Sequence, residues 1–398
     1  MADRIKDLPE FDQALLAEMI AARRHLHAHP ELSNVELETQ AFIRDWLQKR
    51  GLAPRPVADT GIVVDVVGEA GPSNRKVALR ADIDALPIVE ASGLSFASTH
   101  PGVMHACGHD AHTAMGLGAA LTLHKARDRF SGTIRIIFQP GEEAEPLGGR
   151  RVIQEGLLDD VDAAIGIHVD PYLETGRIAV APGPYTLASD IFDVAVHGRS
   201  AHAARASEGV DAIAIAATVV SELQKLVARE TDAFDPLILS VTGIQGGGSY
   251  NILADTVLLK GTIRSGQQAT RQRAHRRLQE LATGIAASHG GRAEIAITKG
   301  EPPVVNDPAM VQIIREVAAG LVGPGAVMNL PGWTAADDFG FYSEKRPSVY
   351  FRLGIRNEEA GCVYPLHHPQ FRVDERAMAL GAAVLAQSAL SFVNRLAG

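Results

Sequence analysis

The order in which strands and helices follow one another, broken once along the chain, constrains this sequence of 398 residues more than any other feature. Gly61-Ile-Val-Val-Asp-Val-Val, Lys76-Val-Ala-Leu-Arg-Ala, Thr133-Ile-Arg-Ile-Ile-Phe-Gln and Ala163-Ala-Ile-Gly-Ile-His-Val are short, apolar and rich in β-branched residues, and read as strands. Helical stretches over roughly 112–125 and 149–155 separate the later ones. Such alternation predicts an α/β sheet that is at least partly parallel. Ahead of it, Phe11, Leu15, Met19, Ala22 and Leu26 recur at helical spacing, and Pro30 stops that helix. A second helix is predicted over 37–50, closed by Gly51.

The order changes after Gly183-Pro184. A strand over 191–196, a helix over 210–229, two strands over 237–244 and 256–264 parted by Gln245-Gly-Gly-Gly-Ser, a helix over 270–287 and a strand over 292–297 give β-α-β-β-α-β. That is the order of a ferredoxin-like unit, and its length suits a small domain. It reads as an insertion, so the chain divides into 1–187, 188–298 and 299–398. After Glu301-Pro-Pro the helix-and-strand alternation resumes and ends in an Ala-rich helix from Glu375.

Composition narrows the function classes. The formal net charge is -9, and an acidic chain without a basic run repels phosphate backbones, so no nucleic-acid partner is expected. No run of ~18 apolar residues is read and the polar N-terminus lacks a secretory signal, so neither a membrane span nor export is expected. Two cysteines, Cys107 and Cys362, exclude a disulfide framework and suit a reducing cytoplasm. The 15 histidines, many beside acids, are the unusual count, because clustered His, Cys and Glu are raw material for a metal site.

Met104-His-Ala-Cys-Gly-His-Asp-Ala-His-Thr packs a thiol, imidazoles and a carboxylate into a few residues. A dication holds a thiolate readily, and Cys107 and His109, two residues apart, can face one point on a turn entering a helix. Asp110 is then placed to orient an imidazole. In Gln139-Pro-Gly-Glu-Glu the carboxylates of Glu142 and Glu143 follow a strand's C-terminal end, where α/β sheets keep their ligand crevice. One can bind metal while its neighbour handles protons. His168 closes another apolar strand, and Leu366-His-His-Pro-Gln-Phe adds His367 and His368. Asp82 and Asp84, in Arg80-Ala-Asp-Ile-Asp-Ala-Leu-Pro, end a strand and either make a turn or support metal-bound histidines. Ligands of this mix favour zinc, with manganese or cobalt possible. In the insertion, His202 sits among small residues in Gly198-Arg-Ser-Ala-His-Ala-Ala, Asn251 follows the Gly-rich turn, and Arg264 ends the next strand.

Taken together, these motifs with Arg24-His-Leu-His-Ala-His-Pro-Glu and the Asp-Asp-Phe within 333–342 resemble the M20 metallopeptidases. The nearest branch is the amidohydrolase subfamily of hippurate hydrolases, N-acyl-amino-acid deacylases and auxin-conjugate hydrolases. The resemblance spans nearly the whole chain. It implies a mixed-sheet, metallo-exopeptidase-like catalytic domain with an inserted ferredoxin-like lid that often forms a dimer interface, hence a homodimer or higher homo-oligomer. It implies two divalent metal ions held by Cys107, His109, Glu143, His168 and His367, with the Cys107 thiolate shared between them. Glu142 would be the general base, and His202 would match a lid histidine that reaches a neighbouring subunit's site and steadies the oxyanion. Asn251 and Arg264 would lie near the substrate's carboxylate. The expected reaction is hydrolysis of an N-acyl amino acid with closure of the lid. A di- or exopeptidase on the same metals is the alternative, and a non-catalytic metal-binding protein a remote one. The loop after Gln139 carries an extra acid, Glu145, and Ser200-Ala201 stand where the family often has glycines.

Overall fold

The computed structural model describes residues 13–395, so Phe11 of the predicted first helix lies outside the described residues. The chain forms two units. One gathers the described residues up to Gly183 with 305–332 and those from Phe341 on, and the other comprises Pro184–Val304 with Trp333–Gly340.

The larger unit is a mixed α/β layer structure. Its strands are β1 (Arg55–Val57), β2 (Gly61–Val67), β3 (Lys76–Asp82), β4 (Thr133–Gln139), β5 (Ala163–Glu174), β6 (Ile178–Ala179), β13 (Val327–Met328) and β14 (Ser348–Arg356). They make one eight-stranded sheet in the order β1-β2-β4-β3-β5-β14-β6-β13. Its centre is parallel, β4 with β3, β3 with β5 and β5 with β14, while β2 and β6 run antiparallel to β4 and β14. The helices are α1 (Gln13–Ala28), α2 (Leu37–Gln48), α3 (His109–Lys125), α4 (Gly148–Gln154), α7 (Pro308–Val322), α8 (Gly340–Lys345, shared at its first residue with the other unit) and α9 (Ala377–Arg395). Two short strands, β7 (Gly183–Pro184) and β12 (Val305–Asn306), stand where the chain leaves and re-enters this unit.

Helix α3 is the axis of the core. Residues His109 to Leu123 are all buried, and the helix packs against α1, α9 and β3. Small residues allow this: a Cβ at Gly118 would lie 2.4 Å from Met19 Sδ. The helix starts at His109, a turn earlier than its apolar pattern suggests, because Gly108 takes a left-handed φ of 88° as its cap. Helix α9 is long and apolar enough over Ala377–Asn394 to cross a membrane by length and composition alone. Its contacts with α3, α7, β3 and β5 make it a core helix of this unit.

The smaller unit holds β8 (Ala188–His197), α5 (Ala212–Glu230), β9 (Leu237–Gly246), β10 (Thr256–Ser265), α6 (Gln268–Ser288) and β11 (Arg292–Lys299). All pairings in its sheet, β11-β8-β10-β9, are antiparallel, which is the ferredoxin-like arrangement. Phe192, Val194 and Val196 alternate inward along β8 and meet Ile215, Val219 and Leu223 of α5 and Leu278 of α6. Asp211 caps α5 by accepting from the backbone of Ile213 and Ala214.

Candidate active site

Three parallel strands bring the candidate residues to one edge of the large sheet. In register, Asp82 of β3 faces Gln139 of β4, and Arg80 of β3 faces Gly166 of β5. Strand β5 does not close at His168 as its apolar run suggests, but continues to Glu174. Its pairing with β3 nevertheless stops at Gly166, so His168 lies at the same carboxyl edge as Asp82 and the Pro140–Glu143 loop. Helix α3 enters from the same side. A Cβ at Gly108 would lie 2.6 Å from Val169 Cγ2, so glycine is required between Cys107 and His109. Gly141, also left-handed at φ 58°, would meet Asn34 Oδ1 at 2.7 Å and turns the chain into Glu142 and Glu143.

The ligand atoms of Cys107, His109 and His168 lie within 4.8 Å of one another, and so do those of Cys107, Glu143 and His367 and those of His109, Glu142 and Glu143. Cys107 Sγ is 3.4 Å from His168 Nε2, and Glu143 Oε1 is 3.9 Å from His109 Nε2 and 3.2 Å from His367 Nε2. Cys107 and Glu143 therefore link the groups. His367 reaches them from a left-handed backbone, φ 63°, an uncommon state for a non-glycine residue, and its N–H donates to Ala106 O at 2.8 Å.

The hydrogen bonds sort the imidazoles. His109 Nδ1 faces Asp84 Oδ1 at 3.1 Å and His168 Nδ1 faces Val169 O at 2.7 Å, so each Nδ1 donates. Asp84 also accepts from Ser33 Oγ at 2.7 Å and from the N–H of Glu143 at 3.0 Å, tying the histidine to the acid loop. His112 differs: its Nδ1 donates to Asp82 Oδ1 at 2.6 Å and its Nε2 accepts from the N–H of Val169 at 2.9 Å. Both its nitrogens are committed, so His112 orients Asp82 and is no candidate ligand. Arg80 donates to the other oxygen of Asp82.

Two atoms test whether a cation fits. His109 Nε2 and Glu143 Oε1 are buried without a hydrogen-bond partner, which is costly unless a cation satisfies them. The electrostatics agree. Burial opposes charge on His109, but Asp82, Asp84 and Glu143 outweigh it and raise its pKa to about 10. Burial, then Glu143, Glu142 and Asp82, push the Cys107 thiol well above its ordinary value, so a thiolate here needs a positive charge beside it. Burial, then His112, hold His168 well below the usual range, as a neutral base. Thiolate, imidazole and carboxylate donors suit divalent transition ions.

A buried layer beneath went unassigned in the sequence. Asp110 orients an imidazole, but that of His27 (2.9 Å to Nδ1) and not of a candidate ligand; it also accepts from Arg23 Nε at 2.9 Å. His27 Nε2 meets Glu90 Oε1 at 3.1 Å, and Arg23 reaches Glu375 at 3.1 Å. Arg23 and His27 share the buried side of α1 with Met19 and Leu26, and charged residues on an apolar stripe are the signal that could have found them. His105 is buried with neither ring nitrogen hydrogen-bonded among the described residues, and burial lowers its pKa to about 4.

His202, Asn251 and Arg264 belong to the smaller unit. His202 is exposed and bridges to Ile252, next to Asn251. Its Nδ1 accepts from Ala204 N at 3.1 Å, which leaves Nε2 as the N–H donor. Arg264 is at the far end of β10, opposite Ser189 of β8, whereas Asn251 precedes the start of β10.

A mixed α/β sheet that gathers thiol, imidazole and paired carboxylates at its carboxyl edge defines a metal-dependent hydrolase. The chain belongs to the family described as Peptidase family M20/M25/M40, whose model matches residues 78–391. It is 40% identical over 374 residues to the N-acetyl-L-cysteine deacetylase of Bacillus subtilis, covering 94% of this chain and 87% of that one. It is 36% identical over 381 residues to thermostable carboxypeptidase 2 of Saccharolobus solfataricus, covering 95% and 96%. Its fold matches the Bacillus subtilis YXEP protein, described as a dinuclear metal binding peptidase from the M20 family, with a TM-score of 0.84, 35% identity and coverage of 96% and 99%. The protein is thus a hydrolytic enzyme acting on amides, with divalent metal ions as its cofactor.

Proposed function

We propose that the enzyme hydrolyses the amide bond of N-acyl amino acids, releasing a carboxylate and a free amino acid. The observation that carries this reading is the pair Glu142–Glu143: both group with His109, while Glu143 alone also groups with Cys107 and His367. Cys107, His109, Glu143, His168 and His367 would hold two ions, zinc, manganese or cobalt, and the place of Cys107 in two groups supports a shared thiolate. When bound, such ions polarise the amide carbonyl and lower the pKa of a water toward ~7. Glu142 takes the water's proton and returns it to the leaving amine nitrogen. Asp84 holds the His109 ring and the Glu143 backbone in place, and Asp82 supports the site through His112 and Arg80.

His202, with Nε2–H as donor, steadies the oxyanion. Asn251 and Arg264 receive the substrate's carboxylate. Along β10 they are separated by on the order of 25 Å, which supports a homodimer in which one copy supplies His202 and Asn251 and the other Arg264. Two free cysteines favour a reducing compartment, the cytoplasm.

The similarity to a carboxypeptidase favours a second reading, a di- or exopeptidase on the same metal site. A substrate panel separates the two. Metal-stripped protein is restored with zinc, manganese or cobalt and given acetyl-, benzoyl- and long-chain-acyl amino acids beside dipeptides. Higher kcat/KM on the acylated amino acids is expected, and faster cleavage of dipeptides would replace the first reading by the second.

A further inference from the structure

The buried layer beneath the site continues outward to the loop that carries His367. Val89 and Ala91 are exposed, whereas the carboxylate of Glu90 between them is buried. An acid turned inward between two apolar residues turned outward reverses the usual order and points to a specific partner. That partner is His27. Its Nε2 faces Glu90 Oε1 at 3.1 Å and its Nδ1 faces Asp110 Oδ2 at 2.9 Å. Ionised carboxylates only accept, so both ring nitrogens carry hydrogen and His27 is a cation held between two acids. Glu90 also accepts from the N–H of Ser98 at 2.6 Å and from Ser92 Oγ, which closes the 90–98 loop on it.

The other side of this loop meets the His367 loop. The N–H of Ala91 donates to Pro369 O at 2.8 Å, and the Arg372 guanidinium donates to Ser92 O. His367 needs such support: its side chain is half exposed, and its left-handed φ of 63° persists only where the surroundings hold it. We propose that Glu90 is a positioning residue for the metal site: by joining His27 to Ala91 and Ser92 it fixes the His367 loop, and so sets the affinity for the ion that His367 holds. Asp110, the residue after His109, anchors the inner end of this row, so one set of contacts spans two ligand-bearing segments. The inference rests on the two-ion reading of Cys107, His109, Glu143, His168 and His367. A buried ion pair adds little net stability over apolar packing, so what Glu90 contributes is direction. Partners that orient ligands in this way set metal affinity without touching the ion.

The test titrates zinc into metal-stripped enzyme and follows heat of binding, with metal content counted after dialysis. Wild-type enzyme should take two ions, and His367→Ala should hold one of them at least ~10-fold more weakly. If either fails, the two-ion reading itself is at fault and the proposal goes with it. Given both, Glu90→Ala should bind one ion as wild type does and the other at least ~10-fold more weakly. Arg372→Ala breaks the same row from its outer end, leaves Glu90 and His27 paired, and should weaken the same ion. Arg372→Lys, which can still donate to Ser92 O, should restore most of that affinity. Asp190→Ala, a destabilising change in the smaller unit, should keep both ions and so separates positioning from loss of stability. Should Glu90→Ala not fold, the two Arg372 variants decide by the same readout. Both ions bound at wild-type affinity in the Glu90→Ala and Arg372→Ala enzymes, or a loss in Asp190→Ala that matches theirs, would overturn the proposal.

Discussion

At the scale of single residues, the chemistry separates what holds from what transfers. Glu143 is fixed through its backbone by Asp84, whereas Glu142 beside it is assigned the proton. Glu142→Gln keeps the size and removes the base. It is expected to retain metal stoichiometry while kcat falls by about 10²–10⁴-fold, measured by metal analysis beside steady-state turnover. Normal turnover with normal metal content would sink the assignment. Gly108 is the backbone counterpart. Alanine there must take a φ of 88° and place its Cβ 2.6 Å from Val169 Cγ2. Gly108→Ala should cost roughly 2 kcal/mol or more in denaturant unfolding and lower metal affinity, because Cys107 and His109 lose their shared direction. Unchanged stability and affinity would show that the turn tolerates a side chain.

At the scale of elements, three strand ends and one helix start make the site, and one acid pins an element of the smaller unit. Asp190 of β8 accepts from Arg271 Nε at 2.8 Å and His275 Nε2 at 2.6 Å, both on α6, and from the N–H of Gly300 at 3.1 Å. Burial would raise its pKa, but the hydrogen bonds from Arg271 and His275 outweigh that and leave it lowered. A carboxylate whose native pKa is lowered contributes stability that is present above its unfolded value of about 3.9 and lost as pH falls through the native value. Thermal unfolding of the full chain should therefore weaken below about pH 4. Asp190→Ala should destabilise by roughly 3 kcal/mol at neutral pH, since it leaves Arg271 buried without its acid, and should flatten the acid limb. An acid limb as steep in the variant as in the wild type would mean that other carboxylates set it.

At the scale of the whole molecule, the proposed exchange of His202 between copies makes a prediction that no monomeric enzyme shares. Mixed preparations of Glu142→Gln and His202→Ala chains, each nearly inactive alone, should recover activity, because some mixed dimers hold one complete site. Random pairing sets the ceiling at about a quarter of wild-type turnover. Mixtures that stay at the sum of the two parents would rule out a shared site.

Much was legible in the sequence wherever the determining interaction is local. The period of apolar residues marked α1, α5 and α6 and the strands between them, and the β-α-β-β-α-β order of the insertion is met by its antiparallel sheet. The motifs carrying Cys107, His109, Glu142, Glu143, His168 and His367 stood out by residue type alone. Helix and strand ends were less legible, since Gly108 starts α3 at His109 and β14 carries β5 on to Glu174 through pairing that periodicity does not contain. What only the tertiary structure decided is the use of each polar group. Asp84 takes His109 while Asp110, in the same motif, turns away to Arg23 and His27. His112 spends both nitrogens on Asp82 and Val169, whereas His109 keeps Nε2 for a cation. The sequence by itself determined which donors exist and which elements carry them, because propensity and periodicity act over a few residues. Which donor remains available for a ligand depends on partners dozens of positions away, and a buried polar group finds those only when the core closes.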